Sequence, residues 1–329
     1  MIYSRREFGK LALASLSGPA LTGKALFVEA KPNSLINGVQ IGTITYSYRS
    51  MPDQTAPGLL KYVLADGISA IELMGEPAEQ FAGAPSRGPR GGGGGRGRGQ
   101  QLAPAEQSAQ QAAQREAREN LRKWRLSVSM DKYKELRKLY NEAGVKIYAL
   151  KISPTADMTD DEMDYVFNAG EAVGATHVTL ELSNDAAFLK RVGSFAEKHK
   201  VYAAYHSHTQ GSMTAFDQAF AASKANMANV DFGHYVAGGN VGGTTLEFLQ
   251  RFHDRIASFH LKDRTTPQHG EQNLTWGTGE TPIKEILQTV KKNKWKMPAS
   301  IELEYQVPAD SDAVKEVAKC LEYCRNALA

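Results

Sequence analysis

The sequence predicts an α/β fold, a (β/α)8 barrel, and three observations predict it. Short β-branched or apolar runs alternate with longer segments of helical period along residues 36–329. Those runs number eight, the strand count of a closed barrel. The first run leads into Thr45-Tyr46-Ser47-Tyr48-Arg49, not into the Gly-rich phosphate turn that a doubly wound sheet usually carries there.

The elements follow in order. Residues 1–30 stand apart from the fold. Arg5 and Arg6, with Phe8 and Lys10 behind them, precede an Ala/Leu-rich apolar run and then Val28-Glu29-Ala30. The run is short for a membrane span, which needs ~20 residues. A charged start, a short apolar stretch and small residues at a cleavage site describe an export signal. It resembles the twin-arginine signal, which implies a periplasmic or other extracytoplasmic protein without a stable membrane span after processing.

The strand-like runs are 39–45, 69–73, 145–150, 176–182, 201–206, 228–232, 256–262 and 299–304. After the second strand comes a stretch that does not suit a core. Residues 82–120 contain the glycine run 91–95, two Arg-Gly repeats and a Gln/Ala-rich tract. With little to bury, this Gly/Arg/Gln-rich stretch is expected to be a flexible insertion. It interleaves no stacking aromatics, so no nucleic-acid contact is expected. Residues 131–143 predict a helix with Tyr133, Leu136, Leu139 and Tyr140 on one face. Thr159 opens another, with Asp160, Asp161 and Glu162 in the first turn, where the helix dipole favours them. Pro282 is placed as the first helical residue of a segment ending near Lys292, and Ser311 as the cap of the last helix. Cys320 and Cys324 share a face of that helix, too far apart for an unstrained disulfide, and read as small buried residues.

Composition excludes whole function classes. Apolar residues at 42% and charged residues at 23% rule out a wholly disordered chain or a multi-span membrane protein. A net charge of +3 is too weak to argue a nucleic-acid binder.

In such a barrel the chemistry lies at the C-terminal ends of the strands. Strand four ends at Glu181, strand five at His206 and His208, strand six at Asp231 with His234 beyond it. Strand seven ends at His260, Lys262 and Arg264, and strand eight at Glu302 and Glu304. Alternation puts His206 and His208 on one face, and Glu302 and Glu304 likewise. Taken singly, each has a plainer reading as a satisfied or solvated residue. The force lies in five adjacent strands supplying imidazoles and carboxylates at one end. That set suits one divalent metal ion, Mn, Zn, Co or Fe rather than Ca or Mg.

The stretches Tyr205-His206-Ser207-His208, Asp231-Phe232-Gly233-His234, His260-Leu261-Lys262-Asp263-Arg264, Trp276-Gly277-Thr278-Gly279 and Ile301-Glu302-Leu303-Glu304-Tyr305 carry a resemblance. The chain resembles the xylose isomerase-like superfamily, TIM-barrel sugar isomerases and epimerases, and most nearly an exported branch of it. The resemblance implies a metal held from strands five to eight. Three of its positions match Asp231, His260 and Glu302. The first, a Glu in better-known members, matches His206, so either His206 takes that place or Glu181 leans in. It further implies proton abstraction next to a carbonyl of a sugar or keto-sugar, through a metal-bound enediolate. Glu181 or Glu302 would be the base, the other helping to hold the metal. His208, His234, Lys262, Arg264, Trp276 and Glu304 would meet substrate. Nothing resembles a phosphate cradle, which favours a neutral sugar.

Three other classes stay open. One is a metal-dependent lyase or hydrolase cleaving 3-keto-glycosides, and another a non-catalytic sugar-binding barrel. The third, the apurinic endonuclease branch, would need several metals, more histidines and a basic DNA face. The oligomeric state is not set by the sequence, and a homo-oligomer is compatible with it.

Overall fold

The computed structural model describes residues 31–85 and 104–329. Among them, eight parallel strands close into a barrel: β1 (Val39–Ile44), β2 (Ala70–Met74), β3 (Lys146–Lys151), β4 (His177–Glu181), β5 (Tyr202–His206), β6 (Asn226–Asp231), β7 (Ile256–Leu261) and β8 (Ala299–Ile301). Each pairs with the next, and β8 pairs with β1 through Ala299–Ile41 and Ile301–Thr43. A two-residue antiparallel strand, Leu35–Ile36, folds back on β1 ahead of the barrel.

The pleat sorts side chains onto two faces. On β7, Phe259 and Leu261 join the hydrophobic layer beneath the helices. The alternate residues Ser258 and His260 turn into the barrel, where they meet His177 and Glu302. On β2 the same alternation sends Ile71 and Leu73 outward into that layer and Glu72 inward.

The helices are α1 (Ala56–Ala65), α2 (Gly75–Phe81), α3 (Pro104–Arg125), α4 (Asp131–Glu142), α5 (Asp160–Ala172), α6 (Ala186–His199), α7 (Asp217–Ala222), α8 (Phe232–Ala237), α9 (Thr245–Phe252), α10 (Ile283–Asn293) and α11 (Ala313–Leu328). The face read for α4 is real: Tyr133, Leu136 and Tyr140 are fully buried and Leu139 packs beside them. Thr159 caps α5 through a reciprocal box with Glu162, which satisfies orphan N–H groups at the helix start. Cys320 and Cys324 are buried free thiols on α11.

Several expectations need correction. Residues 104–120, expected to be part of a flexible insertion, form most of α3. Ala, Gln, Glu and Arg are strong helix formers, and the helix has an anchor. At its C-terminal end Leu121 is buried, and Arg125 donates to Glu79 of α2 at 2.8 Å. The Gly-rich part of that insertion, 86–103, lies outside the described residues, as does the export-signal segment 1–30. The last helix is capped by Asp312, whose carboxylate accepts from the Lys315 amide, and not by Ser311, whose hydroxyl instead meets Glu316. Pro282 precedes α10 as its N-cap. Strand eight stops at Ile301, though Glu302 N still donates to Leu261 O and Leu303 N to Ser47 Oγ. Among the described residues no helix is long and apolar enough to cross a membrane.

Candidate metal centre

Four of the strand-end side chains converge. One ligand atom from each of His206, Asp231, His260 and Glu302 lies within 4.8 Å of the others, and all four residues are buried. They come from β5, β6, β7 and the residue after β8, strands that are neighbours around the barrel.

Each is aimed by its neighbours. His206 Nδ1 donates to Asn229 Oδ1 at 2.8 Å, which leaves Nε2 as its free lone pair. Burial lowers the His206 pKa to about 4, helped by the positive charges of His260 and Lys151, so the ring is neutral. Asp231 uses Oδ1 to accept the His234 amide at 2.7 Å and so caps α8. Its Oδ2 lies 3.0 Å from Lys262 Nζ but without hydrogen-bond geometry, and is a buried oxygen with no hydrogen-bond partner. His260 donates Nε2–H to Glu72 Oε2 at 2.8 Å and Nδ1–H to Glu302 Oε2 at 2.6 Å. Burial alone would lower the His260 pKa, but the Glu72 and Glu302 carboxylates outweigh it and hold it at about 10. Burial pushes Glu302 up, but Lys262 and His260 hold it well below the ordinary carboxylate range. Asp231 is likewise held at about 2, burial being overcome by Lys262 and His234.

A second tier surrounds them. Lys262 is almost fully buried and places its ammonium 3.0 Å from Glu302 Oε2, 2.7 Å from Glu304 Oε2 and 3.1 Å from His234 Nε2. Arg264 closes on the other side of that ring, with Nη1 at 2.5 Å from His234 Nδ1 and Nη2 donating to Glu271 O. Burial and the surrounding cations keep His234 below its ordinary pKa.

Glu181 is not brought into the four-residue group. It stands half-exposed at the rim, where Oε1 accepts from Lys151 and Oε2 from His208 Nε2, both at 2.9 Å. Burial raises its pKa, but His208 and Lys151 pull it far below the usual range. The His208 ring meets those of His206 and His234 at 5.0 and 4.9 Å between centroids. Trp276 is placed elsewhere: it packs edge-on against Tyr323 of α11 as part of the hydrophobic layer.

Glu72 was not singled out by the sequence reading. It is fully buried, and burial is overcome by His260, with Lys151 and Thr179 adding to it, to leave its carboxyl at about 2. A charged residue at an inward position of an otherwise apolar strand, Ala70-Ile71-Glu72-Leu73, was the available signal. Asn229, at an inward position of β6, was missed for the same reason.

The donor set passes a chemical test for a divalent transition metal. Two imidazoles and two carboxylates, with one buried carboxylate oxygen lacking a hydrogen-bond partner, offer mixed N and O ligands.

Residues 106–324 match the family described as xylose isomerase-like TIM barrel. No curated protein matches the sequence. Among solved structures, an uncharacterised protein from Parabacteroides distasonis is similar at 23% identity, over 88% of this chain and 99% of that one, with a TM-score of 0.55. A sugar phosphate isomerase/epimerase from the same organism is similar at 14% identity, over 88% and 95%, with a TM-score of 0.56. The 3-keto-D-glucoside 4-epimerase from E. coli is similar at 10% identity, over 88% and 99%, with a TM-score of 0.54. These likenesses are likenesses of fold.

Proposed function

The chain belongs to the xylose isomerase-like TIM-barrel family, and from that premise we propose that it is a divalent-metal-dependent isomerase or epimerase of a neutral sugar or keto-sugar. One observation carries the reading: His206, Asp231, His260 and Glu302 meet at the end of the barrel where such folds do their chemistry. The sugar phosphate isomerase/epimerase and the keto-glucoside epimerase of like fold support a sugar as substrate, and the latter an uncharged one.

His206 Nε2, Asp231 Oδ2, His260 Nδ1 and a Glu302 oxygen would hold the cation. When bound, it supplies positive charge to stabilise the negative charge that develops as a C–H next to a carbonyl is ionised. Glu181 is the base. It is ionised, sits at the open rim rather than among the ligands, and is fixed on both oxygens by Lys151 and His208. His208 and His234 line the same mouth and bind substrate hydroxyls, with the buried Lys262 ammonium behind them at 3.1 Å from His234 Nε2. Glu304 holds the Lys262 ammonium at 2.7 Å, and Arg264 holds the His234 ring from behind. Export by the twin-arginine route, with work outside the cytoplasm, is part of the same proposal.

The test is metal content by elemental mass spectrometry, beside incorporation of solvent deuterium into a panel of sugars and keto-sugars. About one equivalent of metal, lost in His260→Ala and in Glu302→Gln, with exchange at a carbon next to a carbonyl, is expected. A wild-type protein that takes up no metal would overturn the reading. Release of an aglycone from 3-keto-glycosides would move the assignment to a lyase.

A further inference from the structure

Both imidazoles of the metal centre trace back to one carboxylate that sequence reading passed over. Glu72 enters from β2, on the side of the barrel opposite the ligand strands. A buried carboxylate is costly unless its oxygens are satisfied, and here they are fully used. Oε1 accepts from Thr179 Oγ1 at 2.6 Å. Oε2 faces two donors, His260 Nε2 at 2.8 Å and Asn229 Nδ2 at 3.4 Å. Asn229 also donates to Ser258 Oγ at 2.7 Å, which fixes its amide so that Oδ1 faces His206 Nδ1 at 2.8 Å.

We infer that Glu72 is the positioning residue of the metal centre, committing His260 to ligate through Nδ1 directly and His206 to ligate through Nε2 by way of Asn229. The two rings need opposite tautomers, and a ring nitrogen that is held as N–H cannot be the ligand. Without Glu72, His260 could present either nitrogen, and Asn229 would lose one of the partners that decide which way its amide points. A carboxylate behind a ligating imidazole also raises its basicity. Thr179 of β4 and Asn229 of β6 hold Glu72 in turn, so the orientation is set by strands on three sides. This rests on the metal-site reading above and deepens it.

The test compares wild type with Glu72→Gln, Glu72→Ala and Asn229→Ala. Zinc affinity is measured by competition with a chromophoric chelator. The ring-nitrogen NMR of the zinc-loaded, histidine-labelled protein reports which nitrogens are protonated. Of the eight histidines, the two zinc-bound rings should differ in wild type, His260 protonated at Nε2 and His206 at Nδ1. Glu72→Gln keeps the volume and an acceptor, so it should fold, keep both tautomers and bind zinc about tenfold more weakly; Glu72→Ala should lose about 100-fold and mix the His260 tautomers, the span expected for an outer partner of a metal ligand. Asn229→Ala should disturb the His206 signal more than that of His260, which keeps its direct bond to Glu72. Glu72 variants that melt lower without metal, yet keep wild-type zinc affinity and ring signals, would overturn the inference and leave the metal site standing. A wild type that binds no zinc would overturn both.

Discussion

Replacing Lys262 by Met isolates the charge balance of the proposed metal site. The side chain is 2% exposed, and its ammonium lies 3.0, 3.0 and 2.7 Å from Asp231 Oδ2, Glu302 Oε2 and Glu304 Oε2. Met fills a similar volume, so the loss is one of charge and not of packing. Removing one partner from a buried ion pair costs about 3–5 kcal/mol, because the other charges stay buried without it. For a chain of this size each kcal/mol moves the melting temperature by about 2 °C, which gives a fall of roughly 6–10 °C in the presence of chelator. A divalent cation bound to the same carboxylates restores the missing charge. Saturating zinc should therefore raise the melting temperature of Lys262→Met more than that of wild type. The assay is differential scanning fluorimetry of both proteins, each with chelator and with zinc. The reasoning fails if the two proteins melt within about 2 °C of each other in chelator.

Two pH effects follow from other buried groups. The Glu72 and Glu302 carboxylates hold the His260 pKa at about 10 against 6.5 for a free side chain. Its contribution to stability is thus complete below pH 6.5 and lost as the pH rises towards 10. A cation must displace the Nδ1 proton, so calorimetric titration with zinc near neutral pH, in two buffers of different ionisation heat, should report about one proton released. A buffer-independent heat would contradict the ligand role of His260. Asp66, at the end of α1, is raised by burial from 3.8 to about 8 although Tyr48 donates to its Oδ2. An acid with a raised pKa favours the fold while neutral, so that stabilisation is lost as the pH rises from 3.8 through about 8. Asp66→Asn should therefore melt higher than wild type at about pH 8.5 and alongside it at about pH 4. Equal melting at both values would show that the carboxyl ionises freely.

The barrel was legible because its strands obey a rule visible in one dimension. Runs such as Ile256–Leu261 keep an apolar alternate set, and polar side chains with metal chemistry cluster at their ends. That reading located His206, Asp231, His260 and Glu302. It could not separate Glu181 from them, because a strand end states which way a side chain starts and not how far it leans. Lys151, which draws Glu181 to the rim, lies on a neighbouring strand 30 residues away in sequence. Glu72 escaped notice because a single acid between Ile71 and Leu73 looks like a solvated alternate position. Only closure of the barrel shows that position to be interior. The helix α3 was hidden by its composition: it is polar enough to pass for loose chain, and the contact that anchors it, Arg125 on Glu79, is a tertiary one. Trp276 was misplaced because the loop carrying it turns back to the helical layer, where Tyr323 receives it.

The Glu79–Arg125 pair has a meaning for how this barrel can change over generations. Glu79 leaves the barrel just before the excursion and Arg125 ends it, and their contact at 2.8 Å brings departure and return to one place. Whatever length of chain runs between them, the barrel meets the same two fixed points. Doubling an intervening loop adds only ~0.6 kcal/mol of closure entropy. New sequence, even a foreign module, can therefore be grafted into that stretch while the barrel beneath keeps its register, so it is a place where novelty can accumulate beside an unchanged site.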